Sequence, residues 1–258
     1  MLSVLGLNLV LILSLLTLLW LLSLALHDAS IVDPFWGTGF VVVALATWLS
    51  KESHHGRDHL LVAMVALWGV RLSLYLLWRN IGKGEDRRYQ AMRARIGKSF
   101  WWVSLMSVFM LQGVLLWIIS MPTQIGQLAK PLWESWTVLD WAGITLYGIG
   151  LFFEAVGDAQ LARFKSNPAN KGLVMNTGLW RYTRHPNYFG DFCVWWGIYL
   201  VSIAGGAWWT FFGPAVISFF LIRVSGVTLL ERDMADRRPD YRTYQRSTSS
   251  FFPWFPRS

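Results

Sequence analysis

Residues 1–26 read MLSVLGLNLVLILSLLTLLWLLSLAL, a leucine-rich run in which no side chain is charged. A helix needs about 20 mostly apolar residues to cross the hydrocarbon core of a bilayer, so this run is long enough to span it. A cleaved signal peptide begins with basic residues, and this run does not. The sequence therefore predicts a retained membrane-spanning helix in this segment.

The composition of the whole chain agrees with this prediction. Of the 258 residues, 54% are hydrophobic and only 15% are charged, whereas a soluble domain carries about 25% charged residues. This composition excludes a disordered chain and an ordinary cytosolic enzyme. The single cysteine, Cys193, excludes an internal disulfide and a cysteine-based zinc cluster. We expect an integral membrane protein.

Six further apolar segments are candidates for membrane spans. They comprise residues 31–49, 60–78, 100–120, 136–155, 188–205 and 207–224. No repeat or low-complexity segment interrupts them. We therefore predict an all-α, polytopic membrane protein with seven transmembrane helices, folded as a single domain over residues 1–258.

The distribution of positive charge predicts how these helices are oriented. Of the 23 lysines and arginines, eighteen follow the third or fifth span or lie in the C-terminal tail, and three lie on the opposite side. Cytoplasmic loops are enriched in Lys and Arg, so the N-terminus is expected outside and the C-terminus in the cytoplasm. The basic face would also attract anionic lipid. No nucleic-acid-binding motif accompanies it, so nucleic acid is not an expected partner.

Charged residues also occur inside or at the ends of the predicted spans. They are Asp33, Arg71, Glu154, Asp158, Asp191 and Arg223. A charge at the centre of a membrane helix costs about 2.5–3.5 kcal/mol, so such residues must be paired, hydrated or used. All four acids fall near cytoplasmic span ends, which favours a polar cavity open to the cytoplasm, with structural ion pairs as the alternative. No metal-binding spacing occurs among them, and no metal is predicted.

The loop before the sixth predicted span is dense in polar side chains. Residues 171–191 read KGLVMNTGLWRYTRHPNYFGD. Pro186 suits the first turn of a helix, where its missing N–H costs nothing. The free N–H groups of such a turn attract anions, and Arg181, Arg184 and His185 precede it. The loop is a candidate anion site, with a purely structural turn as the alternative.

At this loop the sequence resembles a known motif. Residues 178–191 (GLWRYTRHPNYFGD) resemble the RHPNYxG(D/E) motif of membrane steroid and sterol reductases, and residues 84–89, 111–113, 154–158 and 231–253 also fit these families. The chain is similar to a bacterial branch of the steroid 5α-reductase family. The resemblance implies seven helices, an outside N-terminus, and NADPH bound in a cytoplasm-facing cavity. It also implies a location in the bacterial inner membrane.

The resemblance further implies a set of cofactor-binding residues within approximately residues 60–258. They are Arg71, Tyr75, Arg79, Glu154, Asp158, Lys165, Tyr182, Arg184, His185, Asn187, Tyr188, Asp191, Glu231 and Tyr244. NADPH has phosphates that need cations, and a carboxamide and ribose that need neutral or acidic partners. This mixture of side chains suits such a cofactor.

The family also suggests the reaction. Steroid 5α-reductases polarise the substrate carbonyl with a glutamate and a tyrosine, and here Asp33 stands near the glutamate and Trp68 at the tyrosine. We expect a hydride to pass to the C=C bond of a steroid-like or isoprenoid α,β-unsaturated carbonyl that enters from the bilayer. Protonated Asp33 would donate to the carbonyl oxygen, Trp68 would add a hydrogen bond, and Tyr75 is an alternative proton source. The competing interpretation is that Asp33 only caps the second helix.

Two other classes of protein stay open. The C-terminal region also resembles isoprenylcysteine and phospholipid methyltransferases, which share RHPxYxG but bind S-adenosylmethionine. Asn187 and Asp191 favour the reductase. The second alternative is a non-catalytic lipid-binding membrane protein. In each case the expected partners are membrane lipids and a lipophilic small molecule, and the expected oligomeric state is a monomer.

Overall fold

The computed structural model describes residues 1–224, 231, 234, 238 and 240–257. Within these residues the structure is helical, and β-type pairing is limited to an isolated bridge between Thr183 and Ser249. The α-helices are α1 (Leu2–Leu26), α2 (Val32–Leu49), α3 (Gly56–Asn80), α4 (Arg87–Ile96), α5 (Phe100–Ser104), α6 (Leu111–Ile119), α7 (Met121–Leu128), α8 (Val138–Ser166), α9 (Pro186–Ala204), α10 (Phe212–Phe219) and α11 (Tyr241–Ser247).

The chain divides into two compact units. Unit 1 comprises Met1–Ser135 and Val201–Gly213, and unit 2 comprises Trp136–Leu200 and Pro214–Ser258. The residues predicted to be catalytic all lie in unit 1. Most of the residues predicted to bind the cofactor lie in unit 2.

Five helical segments in the described part of the chain are long and apolar enough to cross a membrane. They are Leu2–Leu26, Ala29–Leu49, Gly56–Asn80, Arg87–Ile119 and Val138–Ser166. These segments confirm the prediction of an all-helical integral membrane protein. The predicted sixth and seventh spans fold as α9 and as the shorter apolar helix Trp208–Val224. That these two cross the membrane, and the orientation of the termini, stay predictions.

The fourth span begins earlier than residue 100, where the sequence placed it. Asp86 caps α4, since its carboxylate accepts a hydrogen bond from the backbone N–H of Arg88 at 2.9 Å. A π-helical turn over Leu105–Met110 separates α5 from α6. Turns of this kind inside α-helices are frequent at functional sites. The early start matters because it places basic residues and a tyrosine of α4 on an ordered helix.

In unit 1, glycines allow α2 and α3 to pack closely. A Cβ atom added to Gly37 would lie 2.3 Å from the carbonyl oxygen of Gly69, and one added to Gly69 would lie 2.6 Å from that of Gly37. Nearby, the hydroxyl of Ser73 accepts a hydrogen bond from the backbone N–H of Thr38 at 2.8 Å. This crossing fixes the position of Asp33, about one helical turn before Gly37.

A second pair of glycines joins α8 to α9 in unit 2. A Cβ atom added to Gly150 would lie 2.5 Å from the carbonyl oxygen of Gly190, and the reverse distance is also 2.5 Å. This close approach joins the middle of α8 to α9, and a Cβ atom added to Gly157, further along α8, would lie 3.2 Å from Cγ of Pro186 in the first turn of α9. The helix α9 begins at Pro186, which confirms the prediction that this proline occupies a first helical turn.

Candidate functional site

The RHPNY run contacts the C-terminal tail through Arg184. This residue precedes α9, is only 9% exposed, and donates from Nε and Nη2 to the two carboxylate oxygens of Glu231 at 2.7 and 2.9 Å. Its Nη1 donates to the carbonyl oxygens of Gln245 at 3.0 Å and Thr248 at 2.5 Å. All three guanidinium nitrogens are therefore engaged within unit 2.

Glu231 is the centre of this cluster. Its Oε1 lies 2.9 Å from Nε2 of His185, and its Oε2 accepts a hydrogen bond from Nε2 of Gln245 at 3.0 Å. Burial by itself raises the pKa of Glu231, but hydrogen bonds from His185, Arg184 and Gln245 lower it to about 2. Glu231 is therefore ionised at neutral pH. We call Arg184, His185, Glu231 and Gln245 the tail clasp.

Backbone hydrogen bonds extend the contact between the motif and the tail. The N–H of Arg184 donates to the carbonyl oxygen of Ser249 at 2.9 Å, and the N–H of Trp254 donates to that of Tyr182 at 2.9 Å. Paired backbone groups cannot shift independently, so the tail is held in register with residues 182–184.

The remaining predicted residues around the motif also have contacts inside unit 2. The hydroxyl of Tyr244 donates to the carbonyl oxygen of Trp180, and the ring of His185 stacks on Tyr188 with a centroid separation of 5.5 Å. The structure thus brings the predicted residues around the motif together with the tail. Their contact with a cofactor stays a prediction.

The helices α8 and α9 bring together a second polar group. Glu154 and Asp158 are both buried and share a face of α8 at i,i+4. Nδ2 of Asn187 donates to Oδ1 of Asp158 at 3.3 Å. Lys165 is exposed further along α8, and Asp191 lies on α9, partly buried. Within the part of the chain that the structure describes, no group of three or more His, Cys, Asp or Glu side chains could hold a metal ion.

In unit 1, the helix α3 presents a basic and aromatic face. Arg71, Tyr75 and Arg79 recur at every fourth residue, so they share this face. The guanidinium carbon of Arg79 lies 6.0 Å from the centroid of the Tyr75 ring, and its Nε donates to Oδ1 of Asn80 at 3.3 Å. All three predicted residues are partly exposed. Their chemistry fits a phosphate-bearing molecule.

Asp33 has two hydrogen-bond donors that the sequence did not reveal. Its Oδ2 accepts from Nη2 of Arg88 at 2.6 Å, and its Oδ1 accepts from the hydroxyl of Tyr89 at 2.8 Å. Tyr89 is 8% exposed, and the side chain of Gln112 also hydrogen-bonds its hydroxyl. We call Asp33, Arg88 and Tyr89 the α2–α4 triad. In the sequence, the only signal for Arg88 and Tyr89 is the likeness of residues 84–89 to reductases, which names no partner for them.

Trp68 lies at a different level from Asp33. Its buried ring packs edge-on against Phe40, with a centroid separation of 5.5 Å. Phe40 follows Asp33 by two helical turns on α2, a rise of about 10 Å. The aromatic side chain that hydrogen-bonds Asp33 is therefore Tyr89, whereas Trp68 packs against Phe40.

Taken together, the helices and polar groups define an integral membrane protein with polar side chains clustered at helix ends. Residues 19–248 match the family described as "Protein of unknown function (DUF1295)". The chain belongs to this family, which is related to the steroid 5α-reductases.

Two relatives are similar to this chain over different lengths. An uncharacterised protein of Schizosaccharomyces pombe is 28% identical over 267 aligned positions, which cover 91% of this chain and 75% of the relative. A probable O-methyltransferase of Ustilaginoidea virens is 36% identical over 80 positions, which cover 31% of this chain and 26% of the relative. No solved structure matches the chain.

Proposed function

We propose that the protein is an NADPH-dependent membrane reductase that transfers a hydride to the C=C bond of a lipophilic α,β-unsaturated carbonyl. The relation of its family to steroid 5α-reductases supports this class. The observation that carries the proposal is the α2–α4 triad, in which a phenol of α4 donates a hydrogen bond to a carboxylate of α2. A positioned phenol is a suitable donor for carbonyl chemistry.

The donor in this proposal is Tyr89. When a hydride reaches the β-carbon, negative charge develops on the carbonyl oxygen, and a hydrogen-bond donor there lowers the barrier. Asp33 accepts hydrogen bonds on both of its oxygens, so we assign donation to the tyrosine hydroxyl. Arg88 compensates the carboxylate when this hydroxyl turns from Asp33 toward the substrate. The hydride at the β-carbon leaves an enolate, whose α-carbon then takes up a proton from water, and this completes the reduction of the C=C bond.

The cofactor supplies the hydride when it is bound. The basic face of α3, with Arg71, Tyr75 and Arg79, has the chemistry to hold its phosphates. Asn187 and Asp158 have the chemistry to hold a carboxamide or a ribose. We assign Arg184 to fixing the tail, because its guanidinium nitrogens are engaged by Glu231 and backbone carbonyls.

The finer assignments belong to the same proposal. We place the protein in the bacterial branch of the family and in the bacterial inner membrane, with seven spans, an outside N-terminus and a cytoplasmic C-terminus. We propose a monomer whose steroid-like or isoprenoid substrate enters from the bilayer. The five apolar helices and the excess of cations in the predicted cytoplasmic loops support this arrangement.

The test is NADPH oxidation by the purified protein against a panel of α,β-unsaturated carbonyls. Tyr89→Phe should lower turnover by about 100-fold or more, the contribution of a positioned general acid, while NADPH affinity is retained. Tyr199→Phe removes another buried phenol, in unit 2, and should leave turnover unchanged. Turnover at the parent level in Tyr89→Phe would remove this residue from the mechanism. Asp33→Asn then shows whether the carboxylate itself is required.

A second candidate is an S-adenosylmethionine-dependent methyltransferase acting on a lipid or an isoprenylcysteine. The similarity to a probable O-methyltransferase over 80 positions favours it. Native mass spectrometry of the purified protein separates the candidates, because each class retains a different cofactor. Retained S-adenosylmethionine would contradict the reductase. Retention of neither molecule would favour a non-catalytic lipid-binding protein.

A further inference from the structure

A cavity of about 520 Å³ lies in unit 2, beside the end of α11 and the tail that follows it. Its lining includes Arg246, Ser247, Ser249, Ser250, Trp254 and Arg257. Ligand pockets commonly measure about 300–1,000 Å³, so this space can hold a ligand group. The proposed reductase chemistry uses none of these side chains.

The cavity is positively charged. Among the described residues, no carboxylate lines it, and neither Arg246 nor Arg257 forms an ion pair. Arg184 also lines the cavity, but Glu231 compensates its charge. Two guanidinium groups with no ion-pair partner in the described part of the chain favour an anion at this concave site, and the planar guanidinium suits phosphate in particular.

The walls of the cavity are held in place by backbone hydrogen bonds. The N–H of Arg257 donates to the carbonyl oxygen of Ser247 at 2.8 Å, and the N–H of Trp254 donates to that of Tyr182 at 2.9 Å. The first bond ties the two ends of the lining segment together. A site formed in advance loses less entropy when it binds a ligand.

The rim of the cavity is apolar and exposed. Phe252, Trp254 and Phe255 are 57%, 71% and 75% exposed. Tryptophan is enriched at the interface between membrane and water, and the two phenylalanine rings add exposed apolar surface beside it. In an integral membrane protein, an anion that meets both guanidinium groups and exposed aromatic rings is best supplied by the bilayer.

We propose that this cavity binds the phosphate headgroup of an anionic phospholipid, whose acyl chains lie along Phe252, Trp254 and Phe255. Arg246 and Arg257 bind the phosphate, and the hydroxyl groups of Ser249 and Ser250 contribute hydrogen bonds. The site is independent of the reductase activity, because it uses other residues and another ligand.

The test is lipid retention by the purified full-length protein, measured by native mass spectrometry in detergent with added phosphatidylglycerol or phosphatidylcholine. The parent should retain phosphatidylglycerol in preference to phosphatidylcholine. The double variant Arg246→Gln/Arg257→Gln should bind phosphatidylglycerol more weakly by a factor of about ten or more, since it loses both charge-assisted contacts. Arg163→Gln/Lys98→Gln makes the same charge change at exposed positions outside the cavity. This control should bind as the parent does.

A second pair of substitutions distinguishes a lipid from a soluble phosphate. Trp254→Ala/Phe255→Ala should weaken phosphatidylglycerol binding and leave the binding of inorganic phosphate unchanged. Equal retention of the two lipids by the parent would overturn the proposal, and this result does not depend on any variant folding. Displacement of the lipid by NADPH or by inorganic phosphate, with no effect of the aromatic substitutions, would also overturn it, and would assign the cavity to a soluble phosphate.

Discussion

Replacing Glu231 with glutamine should open the tail clasp. The side chain of Glu231 is mostly buried and interacts with Arg184, His185 and Gln245. These contacts lower its pKa from 4.5 to about 2, a difference that corresponds to about 3 kcal/mol at 1.36 kcal/mol per pKa unit. With allowance for solvent screening at the partly accessible pair, we expect Glu231→Gln to reduce the free energy of unfolding by about 2–3 kcal/mol.

The chain provides its own reporter for this measurement. Cys193 is the single cysteine, is buried, and lies on α9, which follows Arg184 directly. The rate at which a thiol-reactive dye labels Cys193 during heating or denaturant titration therefore reports the opening of unit 2. Asp240→Asn is the matched control, because it removes the same charge from the tail and the Asp240 side chain makes no capping hydrogen bond. Labelling of Glu231→Gln at the same midpoint as Asp240→Asn would refute the role of the clasp.

The direction of the pH dependence follows from the lowered pKa of Glu231. The stabilising contribution of ionised Glu231 is fully present above its unfolded-state pKa of 4.5 and is lost as the pH falls from 4.5 to about 2. The difference in stability between the parent and Glu231→Gln should therefore shrink across this acidic range. A difference that grows on acidification would contradict the assignment of an ionised Glu231.

The remaining predictions concern helix packing and the cofactor. Gly37→Ala should strongly destabilise the protein, because a Cβ atom there would lie 2.3 Å from the carbonyl oxygen of Gly69. Gly6→Ala is the control and should be neutral or stabilising, since nothing lies within 4 Å of its Cβ position. Thermal unfolding compares the two variants, and equal midpoints would contradict the close packing of α2 and α3. Asn187→Ala removes the amide that donates to Asp158 and should weaken NADPH binding by up to about tenfold, the scale of one neutral hydrogen bond. Unchanged affinity in a titration calorimeter would leave Asn187 with a structural role.

The helices were predictable because their signals are local. An uncharged leucine-rich run predicts α1, and the proline of the RHPNY motif predicts the start of α9 at Pro186. The resemblance to reductases named Arg71, Tyr75 and Arg79, and once α3 is known to be a helix, its period of 3.6 residues places them on one face. Each of these inferences uses residues within a few helical turns.

The partners of the polar residues were not predictable because they are distant in the sequence. Arg184 binds Glu231 across 47 positions, and Asp33 binds Arg88 across 55. The motif identifies Arg184 as chemically important, but its composition suits an anionic ligand as well as an acidic side chain of the same chain. Only the packing of the tail against the motif shows that Arg184 binds an acidic side chain of the same chain, Glu231.

The carboxylate of Asp33 needs an explanation beyond the stability of the helix pair. An ion pair with an exposed partner contributes little to stability, and the Arg88 side chain of this pair is 55% exposed. A charge in a membrane helix also adds an insertion cost. The α2–α4 triad includes a nearly buried phenol in addition to the ion pair, and Gln112 adds a further polar group beside a π-helical turn. Arg88 is shared between Asp33 and Asp86, and the ion pair by itself does not require the phenol and the amide. Their presence is explained if the triad holds a proton for transfer, and this is the role that Tyr89→Phe tests.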